Sequence, residues 1–369
     1  MDLSFTSEQE ILQDSAVKFA QKGYSFDQYK KSLKAPGQCD PAIWKQVAEF
    51  GWLALAVPES AGGIGGSTLD IALVAEALGA GLVIEPFIAG AIFPAAIIAA
   101  SESAGRQDAL LGNLASGDAQ LAVAYSERAG RFDPAQCTTI ADKNAKGFVL
   151  SGEKICAFNA PNASHLIVSA RNGSAVDLFL VPRETAGLSL TAYPVLGGGV
   201  AADVKLDGVQ VDSDARLGDI TALEAGLDKA IAVDCALALG GMKALFERTS
   251  AYLRTRKQFG VAIGTFQVLQ HRVVDMFIEL EQSRSLVLLA TAKADSGDAV
   301  ERRRAVSAAK AYVAKASKMV AQQAVQLHGG IGMTEELDVG HYFRQLTAFG
   351  TRFGDRDYHL DRFQAVAAA

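Results

Sequence analysis

The stretch QLHGGIGMTEE, residues 326–336, interrupts a long helical region, and RTRKQFG, residues 254–260, ends the helical segment before it. Around both stretches the apolar residues recur at helical spacing, which predicts amphipathic helices. Four such segments are predicted, over residues 223–253, 266–295, 301–327 and 335–349. Helices of this length bury their apolar faces against one another, so residues 218–369 are predicted to form an antiparallel four-helix bundle.

The region before residue 118 is also predicted to be helical. Thr6 precedes an acidic first turn and is a candidate N-cap. The glycines of PESAGGIGG, residues 58–66, resemble a phosphate-binding loop, but the segment has neither the GxGxxG spacing nor a preceding strand. We therefore interpret residues 1–118 as an N-terminal helical domain without a dinucleotide loop.

Between these helical regions the pattern changes to short runs of Val, Ile, Leu and Thr, separated by Gly, Asn, Pro and Asp. The runs include GFVLSGEK, HLIVSAR, DLFLVPR and VKLDGVQV. They are typical of strands joined by turns. Residues 119–217 are therefore predicted to form a β-sandwich or barrel, and the whole chain is predicted to be an α+β multidomain protein in the order helix, β, helix.

Composition excludes several classes of function. The chain has 369 residues, a net charge of −6 and 50% hydrophobic residues, a profile that favours a globular protein and gives no electrostatic reason to expect nucleic acid as a partner. The four cysteines lack metal-type spacing, so no metal site is predicted. The apolar run at residues 88–100 is too short to span a membrane. The N-terminus has acids where a signal peptide needs basic residues. We expect a cytoplasmic protein that does not enter the membrane.

Three motifs identify a family resemblance. RTRKQFG at 254–260, GTFQVLQHR at 264–272 and QLHGGIGMT at 326–334 follow one another at intervals that resemble those of acyl-CoA dehydrogenases. The resemblance extends over essentially the whole chain. It implies FAD as cofactor, an acyl-CoA as substrate, and removal of a hydride from Cβ after a base has taken the Cα proton.

The resemblance also implies which residues contact the adenosine-diphosphate half of FAD. The positions that match the family's contacts are Arg256, Phe259, Phe266, Gln267, Gln326, Gly329 and Gly330. These residue types suit contacts with FAD, because a guanidinium can donate two hydrogen bonds to a diphosphate and glycine allows the backbone to approach a ligand closely. The alternative interpretation is an ordinary pair of helix ends.

The segments that would line the flavin ring depart from the family pattern. AYSERAGRFDP, residues 124–134, has Arg131 and Phe132 where a serine and an aspartate are expected. KICAFN, residues 154–159, has Cys156 in place of a ring-packing Trp and Phe158 in place of a hydrogen-bonding Thr. We interpret Cys156 as a buried filler, with a redox thiol as the alternative.

The catalytic base is missing from both positions that the family uses. Gly354 stands where most members carry the glutamate, and Ala230 stands where others carry it. Asp234, one turn beyond Ala230, is the best candidate for a relocated base, and Asp355 is a second one. Asp228 matches a substrate-contacting aspartate of some members and is the candidate substrate contact. No catalytic residue is assigned beyond these candidates, and His328 and His341 are interpreted as structural.

The retained and missing groups together resemble the small, non-catalytic subunits of heteromeric acyl-CoA dehydrogenases. This resemblance implies a larger homologous catalytic subunit as partner, an α2β2 assembly, electron-transfer flavoprotein as acceptor, and a bulky acyl group such as a steroid side chain or a dicarboxylic acid. Two alternatives remain open: a homomeric dehydrogenase that uses Asp234 as its base, and a non-enzymatic scaffold subunit without flavin.

Overall fold

The computed structural model describes residues 5–101 and 107–367. The chain divides into two compact units. We call them the bundle unit, Met1–Lys30, Thr68–Val83 and Ile231–Ala369, and the sheet unit, Lys31–Ser67 and Ile84–Ala230. The three-domain boundaries predicted from the sequence stay a prediction.

The N-terminal region is helical, as predicted. Its helices are α1 Ser7–Lys18, α2 Phe26–Ser32, α3 Pro41–Glu49, α4 Thr68–Ala80, α5 Phe93–Ala99 and α6 Asp108–Ala115. The N-cap at Thr6 is present as a capping box, because Gln9 N donates to Thr6 Oγ1 at 3.3 Å and Thr6 N donates to Gln9 Oε1 at 3.1 Å. Residues 58–66 form turns and a single short 3-10 turn, with no strand leading into them.

The middle of the chain forms the predicted β structure as one mixed eight-stranded sheet. Its strands are β1 Leu121–Ala124, β2 Ile140–Asn144, β3 Gly147–Phe158, β4 His165–Asn172, β5 Ala175–Pro182, β6 Leu188–Pro194, β7 Val200–Val211 and β8 Arg216–Asp219. The order is β6-β7-β3-β2-β4-β5-β8, and β1 pairs in parallel with β4. Phe148, Leu150, Leu166 and Phe179 belong to the apolar core of this sheet, each buried. The apolar runs of β4 and β5 are buried along most of their length, so these strands lie in the interior of the sheet unit.

The C-terminal region contains the four predicted helices and a fifth. The helices are α7 Ile220–Thr255, α8 Gln267–Lys293, α9 Ala299–His328, α10 Val339–Phe349 and α11 Arg356–Ala367. A short hairpin, β9 Lys257–Gln258 and β10 Val261–Ala262, separates α7 from α8. The helix α11 was not predicted, because its charged residues leave almost no amphipathic signal.

Two glycines allow α4 and α7 to touch along their backbones within the bundle unit. A Cβ added at Gly79 would lie 1.9 Å from Leu237 O, and one added at Gly240 would lie 1.8 Å from Glu76 O. Any larger residue at either position would force the helices apart. In the described part of the chain, no helix is long and apolar enough to cross a membrane.

Candidate functional site

The turn between α7 and α8 presents an aromatic pair to solvent. Phe259 has a left-handed backbone, with φ of 54°, and 91% of its surface is exposed. Its ring meets Phe266 edge-on, with centroids 6.2 Å apart. A large apolar residue in a left-handed turn is costly both in backbone strain and in hydration. Such a feature is typical of a residue that contacts a ligand or another chain.

The loop after α9 presents backbone rather than side chains. Gly329 has φ of 68° and ψ of −149°, a conformation almost restricted to glycine. A Cβ added at Gly329 or Gly330 would meet nothing within 4 Å, so the loop faces open space. The Gly329 N–H is hydrogen-bonded to the Gln326 and Val325 carbonyls of α9, so the loop offers a ligand close approach of backbone rather than a free amide at Gly329.

The predicted cofactor contacts all lie on the surface of the bundle unit. Arg256, Phe259, Phe266, Gln267, Gln326, Gly329 and Gly330 are each exposed. Side-chain contacts join the two segments that carry them: Tyr252 stacks on His328 with ring centroids 4.5 Å apart, and Arg272 Nη1 donates to Gln323 Oε1 at 2.8 Å. The motifs are therefore brought to one region of the bundle.

This region carries uncompensated positive charge. Arg254, Arg256 and Lys257 are exposed, and none of the three forms an ion pair with any residue that the structure describes. An exposed guanidinium without a carboxylate partner is available to bind an anion such as a diphosphate. The bundle unit thus has donors that fit the diphosphate of FAD.

In the sheet unit, the segment KICAFN, residues 154–159, matches the family sequence that lines the flavin ring, and it carries Cys156 and Phe158. Cys156 lies at a β-bulge in β3 with φ of 52°, and its N donates to Asp203 Oδ1 at 3.1 Å. Tyr193 Oη donates to the same oxygen at 2.8 Å. Burial, followed by the nearby Asp203 carboxylate, raises the pKa of the Cys156 thiol despite a hydrogen bond from Tyr193. The thiol is therefore neutral, and neither it nor the half-buried Phe158 supplies the ring-stacking or hydroxyl group that the family places here.

The retained Glu127 serves as a buried structural anion. Its carboxylate accepts from Lys154 Nζ at 2.7 Å and from Thr139 N at 3.0 Å, and it is also bound by Thr138. Burial alone would raise the pKa of Glu127, but these hydrogen bonds and the Lys154 charge hold it well below its usual range. Lys154 is itself completely buried. The pair ties the segment 126–139 to β3, so Glu127 has a structural role.

The two family positions for the base are occupied by residues that cannot take a proton. Ala230 is fully buried in α7. Gly354 has φ of 118°, and a Cβ at this position would lie 2.6 Å from His359 Nε2 and 2.6 Å from Tyr358 Cδ1. The turn is therefore built for glycine, because no side chain fits without moving the buried His359.

The candidate relocated base, Asp234, is held in an ion pair. Its side chain is fully buried, Arg352 Nε donates to its Oδ2 at 3.0 Å, and a second Arg352 nitrogen donates to Oδ1. Lys310 Nζ lies 3.9 Å from Oδ2, and burial lowers the pKa of Lys310 to about 8. A carboxylate bound in this way has the environment of a structural group.

The two remaining candidate carboxylates, Asp355 and Asp228, lie in different environments. Asp355 accepts from Tyr358 N at 2.9 Å at the start of α11, as expected of a turn residue. Asp228 lies on α7 within the sheet unit with 1% of its surface exposed.

Neither singled-out histidine belongs to a metal site. His328 Nδ1 lies 2.7 Å from Ala324 O, and His341 Nδ1 lies 3.1 Å from Tyr29 Oη. Among the described residues no group of three His, Cys, Asp or Glu side chains is placed to hold a metal ion.

Sequence reasoning missed three features. The ion pairs of Asp234 with Arg352 and of Glu127 with Lys154 join distant segments, and no local pattern signals them. The exposed apolar side of α8, by contrast, had a signal: Val274, Phe277 and Ile278 are spaced i, i+3 and i+4, which places them on one helix face, and each is exposed.

Three family models match the chain. They are described as acyl-CoA dehydrogenase N-terminal domain, matching residues 6–118, middle domain, matching residues 122–207, and C-terminal domain, matching residues 221–367. Among curated relatives, acyl-CoA dehydrogenase FadE27 of Mycobacterium tuberculosis is 30% identical over 85% of this chain and 84% of its own.

Solved structures agree with these matches. One chain of the ChsE4–ChsE5 complex from Mycobacterium tuberculosis has a TM-score of 0.93 and 26% identity, covering 100% of this chain and 99% of that one. A variant of the Tcur3481–Tcur3483 steroid ACAD has a TM-score of 0.90 and 28% identity, covering 98% of each chain. The chain therefore belongs to the acyl-CoA dehydrogenase family of oxidoreductases, with FAD as its cofactor.

Proposed function

We propose that this chain is the non-catalytic subunit of a heteromeric FAD-dependent acyl-CoA dehydrogenase. One observation carries the proposal: the bundle unit exposes the full set of FAD-contact positions, while neither family position for the base has a carboxylate. A subunit of this kind supplies groups to a flavin whose remaining contacts come from another chain.

The two chains are proposed to supply different groups to one active site. In this family, bound FAD accepts the hydride that leaves Cβ of the acyl chain. On this chain, Arg256 would bind the FAD diphosphate, and Phe259, Phe266 and the Gly329–Gly330 backbone would supply further contacts to the cofactor. The base that takes the Cα proton belongs to the partner. Asp228 is proposed to contact substrate, as the matching aspartate does in some members of the family.

The partner is proposed to be a larger homologous chain in an α2β2 assembly. Support comes from one face of α8, where Val274, Phe277 and Ile278 are each between 46% and 54% exposed. Exposed apolar side chains that share one helix face mark association surfaces. The similar ChsE4–ChsE5 structure is that of a complex of two proteins.

The proposed reaction is α,β-dehydrogenation of a bulky acyl-CoA, carrying a steroid side chain or a dicarboxylic acid. The steroid assignment is supported by the 28% identity with a protein described as a steroid ACAD. Electron-transfer flavoprotein is the proposed electron acceptor, and the cytoplasm is the proposed location.

A homomeric enzyme with Asp234 as base is the weaker alternative. The Asp234 carboxylate is fully buried, is bound by Arg352 and lies 3.9 Å from the buried Lys310, so proton uptake would remove the anion from beside two cations. A scaffold without flavin is disfavoured by the exposed, unpaired cations around Arg256.

Co-expression tests the proposal. The chain is purified alone and together with a larger homologous chain, and the FAD content and bleaching by a steroid side-chain acyl-CoA are measured for each. We expect little FAD and no bleaching for the chain alone, and about one FAD per pair of chains with full bleaching for the complex.

Two results would contradict the proposal. Full dehydrogenation by the isolated chain supports the homomeric alternative instead. A colourless complex, in which the larger chain alone retains flavin and activity, supports the scaffold.

A further inference from the structure

The QLHGGIGMTEE loop has little packing of its own. Ile331 and Met333 are 41% and 62% exposed, and Gly329 and Gly330 face open space. Beyond the buried Leu327 and His328, a glycine-rich segment of this kind samples many backbone conformations unless other contacts restrain it. Contacts at both ends of the loop supply that restraint.

The first end is attached to α7. The ring of His328 stacks on Tyr252, with centroids 4.5 Å apart and an interplanar angle of 27°. Tyr252 Oη also donates to His328 O at 3.5 Å. The residue that precedes Gly329 is therefore held by a side chain four positions before Arg256.

The second end is attached to α10. Glu335 accepts two hydrogen bonds from Arg344, at 2.9 Å and 3.2 Å, and its Oε2 lies 3.1 Å from His341 Nε2. His341 is 3% exposed, and its Nδ1 lies 3.1 Å from Tyr29 Oη. Arg344 Nη2 lies 2.7 Å from the same Nδ1 and 3.2 Å from Nε2, so the guanidinium is in close contact with the imidazole ring. A forked guanidinium on a carboxylate fixes direction as well as distance.

The middle of the loop rests directly on the start of α10. A Cβ added at Gly340 would lie 3.2 Å from Gly332 O, so the two backbones are in close contact. The loop is thus seated against the same helix whose Arg344 and His341 hold Glu335.

We propose that Glu335, Arg344 and His341 form a positioning clamp that keeps the Gly329–Gly330 backbone in its FAD-binding conformation before the cofactor arrives. The inference rests on the proposed function, since it assumes that this loop contacts FAD. The clamp acts through the loop and does not itself touch the cofactor. Breaking the clamp lowers the fraction of molecules whose loop has the FAD-binding conformation. The apparent affinity for FAD then falls by the same factor.

The test uses Arg344→Met, which removes the fork but keeps the aliphatic stem. Arg284→Met is the matched control, because Arg284 also pairs with glutamates in the bundle unit and its side chain is 40% exposed, against 35% for Arg344. Amide hydrogen exchange of residues 329–336 is followed in the isolated chain. FAD affinity is measured by titrating FAD into the complex with the larger homologous chain.

For Arg344→Met we expect about fivefold faster exchange across residues 329–336 and about fivefold weaker FAD binding, as for the loss of a well-formed ion pair. Arg284→Met should change neither. Unchanged exchange in Arg344→Met overturns the clamp, and faster exchange with unchanged FAD affinity overturns its positioning role. If the unsubstituted complex binds FAD without any contribution from this chain, the proposed function fails, whereas the exchange measurement still decides whether the clamp holds the loop.

Discussion

The Asp234 carboxylate and the Arg352 guanidinium form a two-pronged ion pair at a position where Asp234 has no exposed surface. Asp234 lies on α7, and Arg352 lies in the turn between α10 and α11, two residues before Gly354. The ion pair thus joins Asp234, the candidate base, to the turn that contains Gly354, where most family members carry a glutamate. It indicates that Asp234 stabilises this turn.

Asp234→Asn should therefore act on stability rather than on chemistry. Removing the anion leaves Arg352 without its carboxylate and the buried Lys310 with the Phe349 carbonyl as its acceptor, which costs about 3 kcal/mol of unfolding free energy, since Arg352 is partly exposed. Thermal denaturation of the isolated chain measures this loss. In complex with the larger chain, below its melting temperature, the variant should keep its kcat. A stable variant with abolished activity would instead identify Asp234 as the base.

Gly354→Glu should not create a catalytic subunit. The backbone at 354 has φ of 118°, and the new Cβ would meet His359 Nε2 at 2.6 Å, so the variant should lose about 2 kcal/mol or more of stability. Gly354→Ala should lose a similar amount, because the cost comes from the backbone and the Cβ. Melting temperatures and acyl-CoA bleaching of both isolated variants are compared. Bleaching by the glutamate variant would contradict the expectation that this position is closed to a base.

The sequence was sufficient for the fold, whereas the cofactor-contact positions stay a prediction, although all seven are exposed on the bundle unit. Periodicity over long segments predicted α7 to α10, and short runs of Val, Ile, Leu and Thr predicted the sheet, because both patterns are local. The ion pair of Asp234 was outside the reach of such reasoning, since Arg352 lies 118 positions away along the chain. The same limit applies to Gly354: the missing glutamate was visible in the sequence, but the left-handed turn and the His359 contact depend on tertiary packing.

Acid should weaken the bundle unit through His359. Burial, with smaller contributions from the Lys310 and Arg362 charges, lowers the pKa of His359 to about 3. In the unfolded chain the His359 imidazole has a pKa near 6.5, so between about pH 6.5 and pH 3 it is protonated there but neutral in the folded chain. The free energy of unfolding is therefore not reduced by this histidine well above pH 6.5, and it falls by about 2 kcal/mol by pH 5, because protonation favours the unfolded chain.

The measurement is the shift in melting temperature between pH 7 and pH 5 for the unsubstituted chain and for His359→Gln. The variant should be less stable at pH 7, because a packed ring is lost, and its further decrease at pH 5 should be smaller. His271→Gln, at an exposed position on α8, is the control and should follow the unsubstituted chain. Equal decreases in all three proteins would exclude His359 as a source of acid sensitivity.

Arg256→Gln should weaken FAD binding in the complex without affecting the fold. The side chain is exposed and unpaired in the described structure, so its removal leaves nothing buried without a partner. Losing a charge-assisted contact to a diphosphate costs about 1.5–3 kcal/mol, or about 10- to 100-fold in FAD affinity. Arg254→Gln, two residues earlier on the same helix end, is the control. If both variants bind FAD equally well, the diphosphate contact lies elsewhere.

Phe277→Asp should weaken association with the larger chain. Phe277 is 48% exposed on the apolar side of α8, and a carboxylate buried in an interface without a partner is strongly unfavourable. We expect at least about a tenfold increase in the dissociation constant, which corresponds to about 1.4 kcal/mol, as measured by analytical ultracentrifugation. Ile140→Asp changes an equally exposed apolar residue, 47% accessible on β2 of the sheet unit, and should leave association unchanged. Phe277→Asp should also lower the melting temperature of the isolated chain, because the Phe277 ring packs against Phe246 with centroids 5.7 Å apart, so association is measured well below that temperature. An aspartate variant that assembles normally would place the partner on another surface.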